Sequence, residues 1–204
     1  MKFAAGRVRP ITAGLMAVAV LCLLVRCSSD AGPRLMVPGL PDPPYAGLAS
    51  WDNLPGQTLA VGAEVLCRTQ LADVEITEVV PSGGQGLRVD AFAVRDNPAQ
   101  LTPREDQLGD SHVPLAAIGH GFVVGVPQKV TGVCADADPL TGRPLGPRPI
   151  WQELAVQYSR TTSGTGFDEG MDVHYRTADG DHVLHLPFAI KLCAPADHTG
   201  DCKH

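Results

Sequence analysis

The sequence is short of the residues on which many chemistries depend. Only 5% of it is aromatic, with two Trp, three Tyr and five Phe, so stacking platforms for bases are poorly supplied. Lys occurs four times and Asn twice. Residues 1–26 carry Lys2, Arg7, Arg9 and Arg26 and no acid, so the formal net charge moves from −6 for the chain to −10 for residues 27–204. That balance argues against nucleic acid or an anionic lipid surface as partner, since both need clustered Lys and Arg. No Cys-x-x-Cys occurs, which removes thioredoxin-type redox sites and zinc knuckles. The chain also lacks a Gly-x-x-x-x-Gly-Lys-Ser/Thr phosphate loop, a Gly-x-Gly-x-x-Gly after a strand and a His-Glu-x-x-His pair. No internal repeat and no long amphipathic helix is legible.

What is present begins with an export signal. Lys2, Arg7 and Arg9 precede Ile11 to Val25, an uncharged, apolar run of 15 residues followed by Arg26, Cys27, Ser28 and Ser29. A cationic start, a short apolar stretch and small residues at the exit are the layout of a secretory signal. Three fates fit it. The run stays as a signal anchor, although a full span takes about 20 apolar residues. Alternatively, Cys27 becomes a lipidated N-terminus: Leu24-Val25-Arg26-Cys27-Ser28-Ser29 resembles a bacterial lipobox at its Leu, Cys and serines and departs from it at Arg26. In the third, signal peptidase cuts after Ala31, where Ser29-Asp30-Ala31 matches an A-x-A-like site and the product is secreted. All three place the rest of the chain outside the cytoplasmic membrane, attached to it through the N-terminal segment only or released.

The cysteines agree with an oxidising compartment. Beyond Cys22 and Cys27, the chain holds Cys67, Cys134, Cys193 and Cys202, an even number suited to disulfides. Four cysteines allow three connectivities. The spacing favours Cys193–Cys202, close in sequence across a Pro/Gly/Asp-rich loop, which leaves Cys67–Cys134.

The organisation expected is a signal or anchor over 1–27, a Pro-rich linker over 28–57 and an extracytoplasmic domain over 58–204. Pro33, Pro38, Pro41, Pro43, Pro44 and Pro55 deny the linker a helix or a central strand. From Thr58 the dominant period is two, the mark of half-buried strands. Val74 to Val80 alternates, Pro81 to Gly86 turns the chain, and Leu87 to Val94 alternates with a phase change near Asp90 that predicts a bulge. Thr102 to Asp106 reads as a capped helical turn. Phe122 to Val126, Lys129 to Cys134 and Leu154 to Ser159 read as strands, the last with Leu154, Val156 and Tyr158 on one face. Met171 to Arg176 and His182 to Leu192 flank Asp179-Gly180, a dipeptide suited to a two-residue type I′ turn. That turn sets Tyr175 opposite Leu184, Val173 opposite Leu186 and Met171 opposite Phe188. Pro187, without an amide donor, predicts an edge or a bulge. Roughly eight strands and Gly/Pro-rich turns indicate an all-β fold, an antiparallel immunoglobulin-like β-sandwich, with a small barrel as the alternative.

The signal, the Cys27-Ser28-Ser29 exit, the Pro-rich spacer and the strand-ending cysteines together resemble the small exported or lipid-anchored β-sandwich proteins of high-GC Gram-positive bacteria, whose function is unassigned. The resemblance covers the chain loosely and implies no catalytic residue.

Candidate chemistry is sparse. The same hairpin register sets His174 opposite His185, with Asp172 two residues away on that face. Two imidazoles on adjacent strands can chelate Zn²⁺ or Cu²⁺, with the carboxylate as a third ligand. Polar residues alternate outward on any sandwich, so the plain alternative is ordinary surface. Gly109-Asp110-Ser111-His112 superficially resembles a Gly-Asp-Ser hydrolase block but lacks the strand-to-helix elbow that chemistry needs. Asp168, Glu169, Asp172, Asp179 and Asp181 gather acids near a Gly-rich loop without the spacing of a calcium site. His120, His198 and His204 read as loop residues. The expectation is therefore a surface-attached binding or structural module, with no cofactor and an unidentified cell-surface or cell-wall partner. A Zn or Cu protein built on His174 and His185 is the rival, and an enzyme comes third.

Overall fold

Strands form where apolar side chains recur at every second residue between turns rich in Gly and Pro. The computed structural model describes residues 32–37, 47–52, 54, 56–96, 108–134 and 151–202. In chain order these make β1 (Leu35–Met36), β2 (Gly47–Asp52), β3 (Thr58–Arg68), β4 (Val74–Pro81), β5 (Leu87–Asp96), β6 (Asp110–Ser111), a single helical turn α1 (Leu115–Ile118) and β7 (Gln128–Val130). They continue with β8 (Gln152–Arg160), β9 (Gly166–Asp168), β10 (Met171–Thr177), β11 (Gly180–Leu186), β12 (Phe188–Cys193) and a 3-10 turn at Gly200–Cys202. The fold is all-β, built from antiparallel sheets in the manner of a β-sandwich.

One sheet runs β1-β3-β8-β5, with β6 also on β3; a second runs β11-β10-β4-β7; a third runs β2-β12-β9. Their inner faces share one apolar core. Leu59, Val61, Leu66, Leu154, Val156 and Tyr158 from the first sheet meet Val74, Ile76, Val79, Met171, Val173 and Leu186 from the second, with Ile190 and Leu192 of β12. Leu154, Val156 and Tyr158 share a face as their spacing predicts, and all three are fully buried. Leu154→Ala would therefore cost about 2–5 kcal/mol.

Several expectations change. The strand count among the described residues is twelve rather than roughly eight. Part of the excess comes from the segment expected to be a linker, for β1 pairs with β3 and β2 pairs with β12. Both are edge strands, which need a ladder on one side only and so tolerate prolines around them. The folded unit accordingly begins at Gly32, not at Thr58. The β2–β12 pair is parallel, so the sheets are not antiparallel throughout. Phe122 to Val126 is not a strand. Gly119, His120 and Gly121 all take positive φ, which coils the chain out of extended geometry before Phe122. Lys129 to Cys134 shortens to β7, because the chain turns away after Val130 to bring Cys134 to Cys67. Thr102 to Asp106 and Cys27 lie outside the described residues.

Two local expectations hold. The β5–β8 register slips between Val89 and Ala91, a bulge at Asp90. Pro187 separates β11 from β12, so the strand ends where the amide donor is missing.

The outer face of the first sheet carries a lid. Segment 108–122, with α1, packs Leu115 and Phe122 onto Ala60, Ala93 and Ala155. Beneath it lies an ion pair. Glu153, 1% exposed, accepts from Arg95 Nε at 2.7 Å and from the Leu108 amide at 2.6 Å. The Arg95 guanidinium also bonds the His120 carbonyl at 3.1 Å and stacks 4.5 Å from the Phe122 ring centre. Gln157 accepts from the Leu115 amide at 2.7 Å. The lid is thus held by side chains that answer its own backbone donors.

Two disulfides close the framework. Cys67 of β3 joins Cys134, with Cα atoms 5.2 Å apart, and Cys193 of β12 joins Cys202, at 5.7 Å. Both pairings are those the spacing favours. Asp197 reinforces the second loop by accepting from the Thr199 amide at 3.0 Å and from Thr165 Oγ1. These bonds, Thr165 first, hold its carboxyl down at about 2.

Candidate binding surface

The β10–β11 hairpin was expected to turn on Asp179-Gly180. It turns instead on Ala178-Asp179, and Thr177 pairs with Gly180. Among the turn residues only Gly180 has positive φ, at 136°. Ala178 and Asp179 therefore cannot form a type I′ turn, which needs positive φ at both central residues, and Gly180 follows the turn instead. Thr177 Oγ1 secures the tip by bonding Asp179. The register moves by two residues, so each side chain keeps its face but changes its partner. Val173 faces Leu184, Met171 faces Leu186 and Tyr175 faces His182, with the last two rings 5.2 Å apart. Leu184, Leu186 and Phe188 do not take the partners expected of them.

The same shift separates the candidate metal ligands. His174 lies opposite Val183, while His185 lies opposite Asp172. His174 and His185 become diagonal neighbours on one face rather than a facing pair. His185 Nδ1 sits 2.8 Å from Asp172 Oδ1 and 3.3 Å from Ser82 Oγ. Among the described residues no three His, Cys, Asp or Glu side chains gather as a metal site.

The remaining polar candidates are engaged in local structure. Asp179 bonds Arg34 at 3.0 Å, and its carboxyl lies far below the ordinary range, held there by Thr177 first and then by Arg34. Asp181 takes Arg176 Nε at 2.9 Å. Ser111 Oγ accepts from the Val113 amide at 3.1 Å, and His112 turns to the Thr58 carbonyl at 3.4 Å. That places no base on the serine. Asp168 is fully buried, with Oδ1 accepting from the Ser82 amide at 2.9 Å and Oδ2 without a hydrogen-bond partner among the described residues. Burial raises its carboxyl above the ordinary value, against the pull of the Gly170 and Ser82 amides, and the Asp172 charge adds to the rise. The turn at 82–86 approaches it so closely that a Cβ on Gly84 would lie 1.9 Å from the Phe167 carbonyl oxygen.

The surface feature that sequence reasoning missed is a groove. A cavity of about 330 Å³ opens between β4 and β5, walled by Thr77 to Val79 and by Val89 to Phe92 and bordered by Val124 to Val126. Val123, Val126 and Val124 are 73%, 67% and 38% exposed. Three large apolar side chains in four residues form a patch that folding alone does not require. The loop that shows them is fixed from below. Gln128 Nε2 donates to the Val123 carbonyl at 3.2 Å and to that of Gly125, while its Oε1 accepts from the Val94 amide at 3.1 Å. Phe122 holds the other end, under Arg95. The signal was present as Phe122-Val123-Val124-Gly125-Val126, which reads as a buried strand when taken as an apolar run.

Among the described residues no helix is long and apolar enough to cross a membrane. Comparison of the chain with protein-family models and with curated proteins gives no match.

Proposed function

We propose that this chain is an exported, disulfide-stabilised module of immunoglobulin-like type, held at the outer face of the membrane by residues 1–27 and acting by binding. The observation that carries the reading is the valine loop, rigidly mounted by Gln128 and Arg95 beside a groove while its apolar tips face solvent. Export is supported by the signal-like N-terminus and by two disulfides in the folded unit. The charge of −10 outside residues 1–26 suits a partner that is not itself acidic.

A membrane-impermeant amine reagent applied to intact cells tests the address, because Lys129 stands 68% exposed on β7. Labelling of Lys129 before lysis is expected, and labelling only after lysis overturns the reading. A photo-crosslinking residue at Val126 tests the face. It should capture a partner that the same residue at Leu71, 64% exposed and remote in sequence, does not.

A second reading keeps the hairpin as a Zn²⁺ or Cu²⁺ site. The observation favouring it is the Asp172–His185 contact, since a carboxylate on Nδ1 orients an imidazole to offer Nε2 to a metal. His174 would be the diagonal second ligand.

A further inference from the structure

We propose that the groove between β4 and β5 binds an extended peptide segment of another protein, with a basic residue set among apolar ones, as an added strand on the open edge of β5. This rests on the binding-module reading above and names the partner chemistry of that site. Among the described residues β5 is the terminal strand of the first sheet, paired with β8 on one side only. Its Val94 amide points away from β8, into the side chain of Gln128. Backbone groups alternate along a strand, so Phe92, two residues earlier, offers its amide and carbonyl to the same open side. Across the groove, β4 pairs with β7 only from Val74 to Ile76. Thr77 to Val79 therefore lack a neighbour there among the described residues. The open edge of β5 beside that cavity makes a template for β-strand addition, with β4 as the facing wall.

The geometry sets the length of the guest. The bulge at Asp90 interrupts the ladder at one end, and the Gln128 side chain occupies it at the other. Four residue steps separate those points, about 13 Å of strand. A segment of four or five residues fills that span.

The chemistry of the walls sets its character. Val124 and Val126 supply apolar contact at one rim. Glu78 and Asp90 supply negative charge. Asp90 is already engaged by Arg88 Nε at 2.6 Å, whereas Glu78 is exposed and has no ion-pair partner among the described residues. Glu78 is thus the group that recognises a Lys or Arg of the guest. A second copy of this chain is disfavoured as the occupant, because two bodies of charge −10 repel.

Random heptapeptides displayed on phage, panned against the oxidised full-length chain in detergent micelles, test the proposal. Enriched peptides should alternate apolar residues and carry Lys or Arg. A synthetic peptide from that set should lose at least tenfold in affinity with Glu78→Lys, and at least tenfold with Val124→Asp combined with Val126→Asp. All three side chains are solvent-exposed, and an unchanged melting temperature of each variant establishes that the fold is kept. N-methylation of alternate peptide amides should cost tenfold or more in one alternation and little in the other, because only one edge of the guest pairs with β5. Acidic consensus peptides, indifference to Glu78→Lys or indifference to methylation overturn strand addition by a basic segment and leave the binding-module reading standing. A dimer in light scattering that Val126→Asp dissolves overturns it in favour of self-association. Lys129 labelling only after lysis would overturn the export reading and leave the groove chemistry intact.

Discussion

Asp172 on β10 and His185 on β11 face each other across the hairpin, with Oδ1 and Nδ1 2.8 Å apart. The pair forms because the turn falls one residue before the Asp-Gly dipeptide, which brings a carboxylate rather than a second imidazole to His185. The metal reading of the hairpin turns on His185, whose imidazole Asp172 orients, with His174 as the diagonal second ligand. Zn²⁺ titrated by calorimetry into the oxidised chain should then bind weakly and lose affinity on acidification, because protons compete with the metal for its ligands. His185→Ala should abolish the signal, and Asp172→Asn should weaken it by about tenfold or more. A flat titration of the unmodified protein removes the metal reading.

The buried pair of Arg95 and Glu153 should be costly to split. Glu153→Ala removes the carboxylate that the Arg95 guanidinium and the Leu108 amide share under the lid and leaves a buried charge without its counter-ion, a loss of about 3–5 kcal/mol. Replacing both charges, with Arg95→Met and Glu153→Leu, should recover most of that loss. About 1–3 kcal/mol should remain for the orphaned amide. Urea midpoints of the four proteins in the double-mutant cycle check this, and full additivity of the two single losses contradicts it.

The two disulfides should differ in weight. Cys67–Cys134 spans 67 residues and Cys193–Cys202 spans 9. Loop-closure entropy then assigns about 4 kcal/mol to the first and about 2.6 kcal/mol to the second. Paired Cys→Ala variants compared by chemical denaturation should show that order, and a larger loss for the short loop would refute it.

Asp168 gives stability a distinctive pH dependence. Its folded carboxyl sits above the ordinary 3.8 because of burial, which outweighs the Gly170, Ser82 and Glu169 amides. A raised value means that the folded state holds the proton more tightly than the unfolded chain. The cost of the buried charge is therefore present at neutral pH and is relieved as pH falls through the raised value toward 3.8. The depressed carboxyls of Asp179, Asp197 and Asp201 act in a separate window, losing their contribution only below 3.8. Asp168→Asn keeps an acceptor for the Ser82 amide and removes the charge. The variant should be more stable than the parent at pH 7, and the difference should shrink as pH falls toward 3.8. A constant difference across that range would show that the carboxyl does not titrate there.

Much of the framework was legible because alternation and covalent spacing are local. Leu154, Val156 and Tyr158 announced one face of β8, and the phase change at Asp90 announced its bulge. The cysteine spacing pointed to the pairs that form. What the sequence hid depends on what covers what. Arg95 and Glu153 occupy outward positions of β5 and β8, which alternation assigns to water, and only the lid from 108 to 122 buries them. The valine loop failed in the opposite sense, since apolar residues were assigned to the core and tertiary packing left them outside. At the hairpin, one Gly in positive φ was legible but its place in the turn was not, and that displaced the metal candidates by two positions.

The N-terminal entry of the folded unit has a mechanical consequence. Arg34 is fastened to Thr69 by its backbone amide and carbonyl, at 2.9 and 2.8 Å, and to Asp179 by its guanidinium. β1 itself holds β3 through only two residues, Leu35 and Met36, and Met36 pairs with the disulfide-bonded Cys67. A pull applied at Gly32 would therefore meet a short, peelable strand backed by a covalent stop. Under load β1 should yield while the eleven-residue β3, tied through Cys67 to Cys134, stays in its sheet. The entry strand would then release several residues of chain before the core or the groove feels the pull.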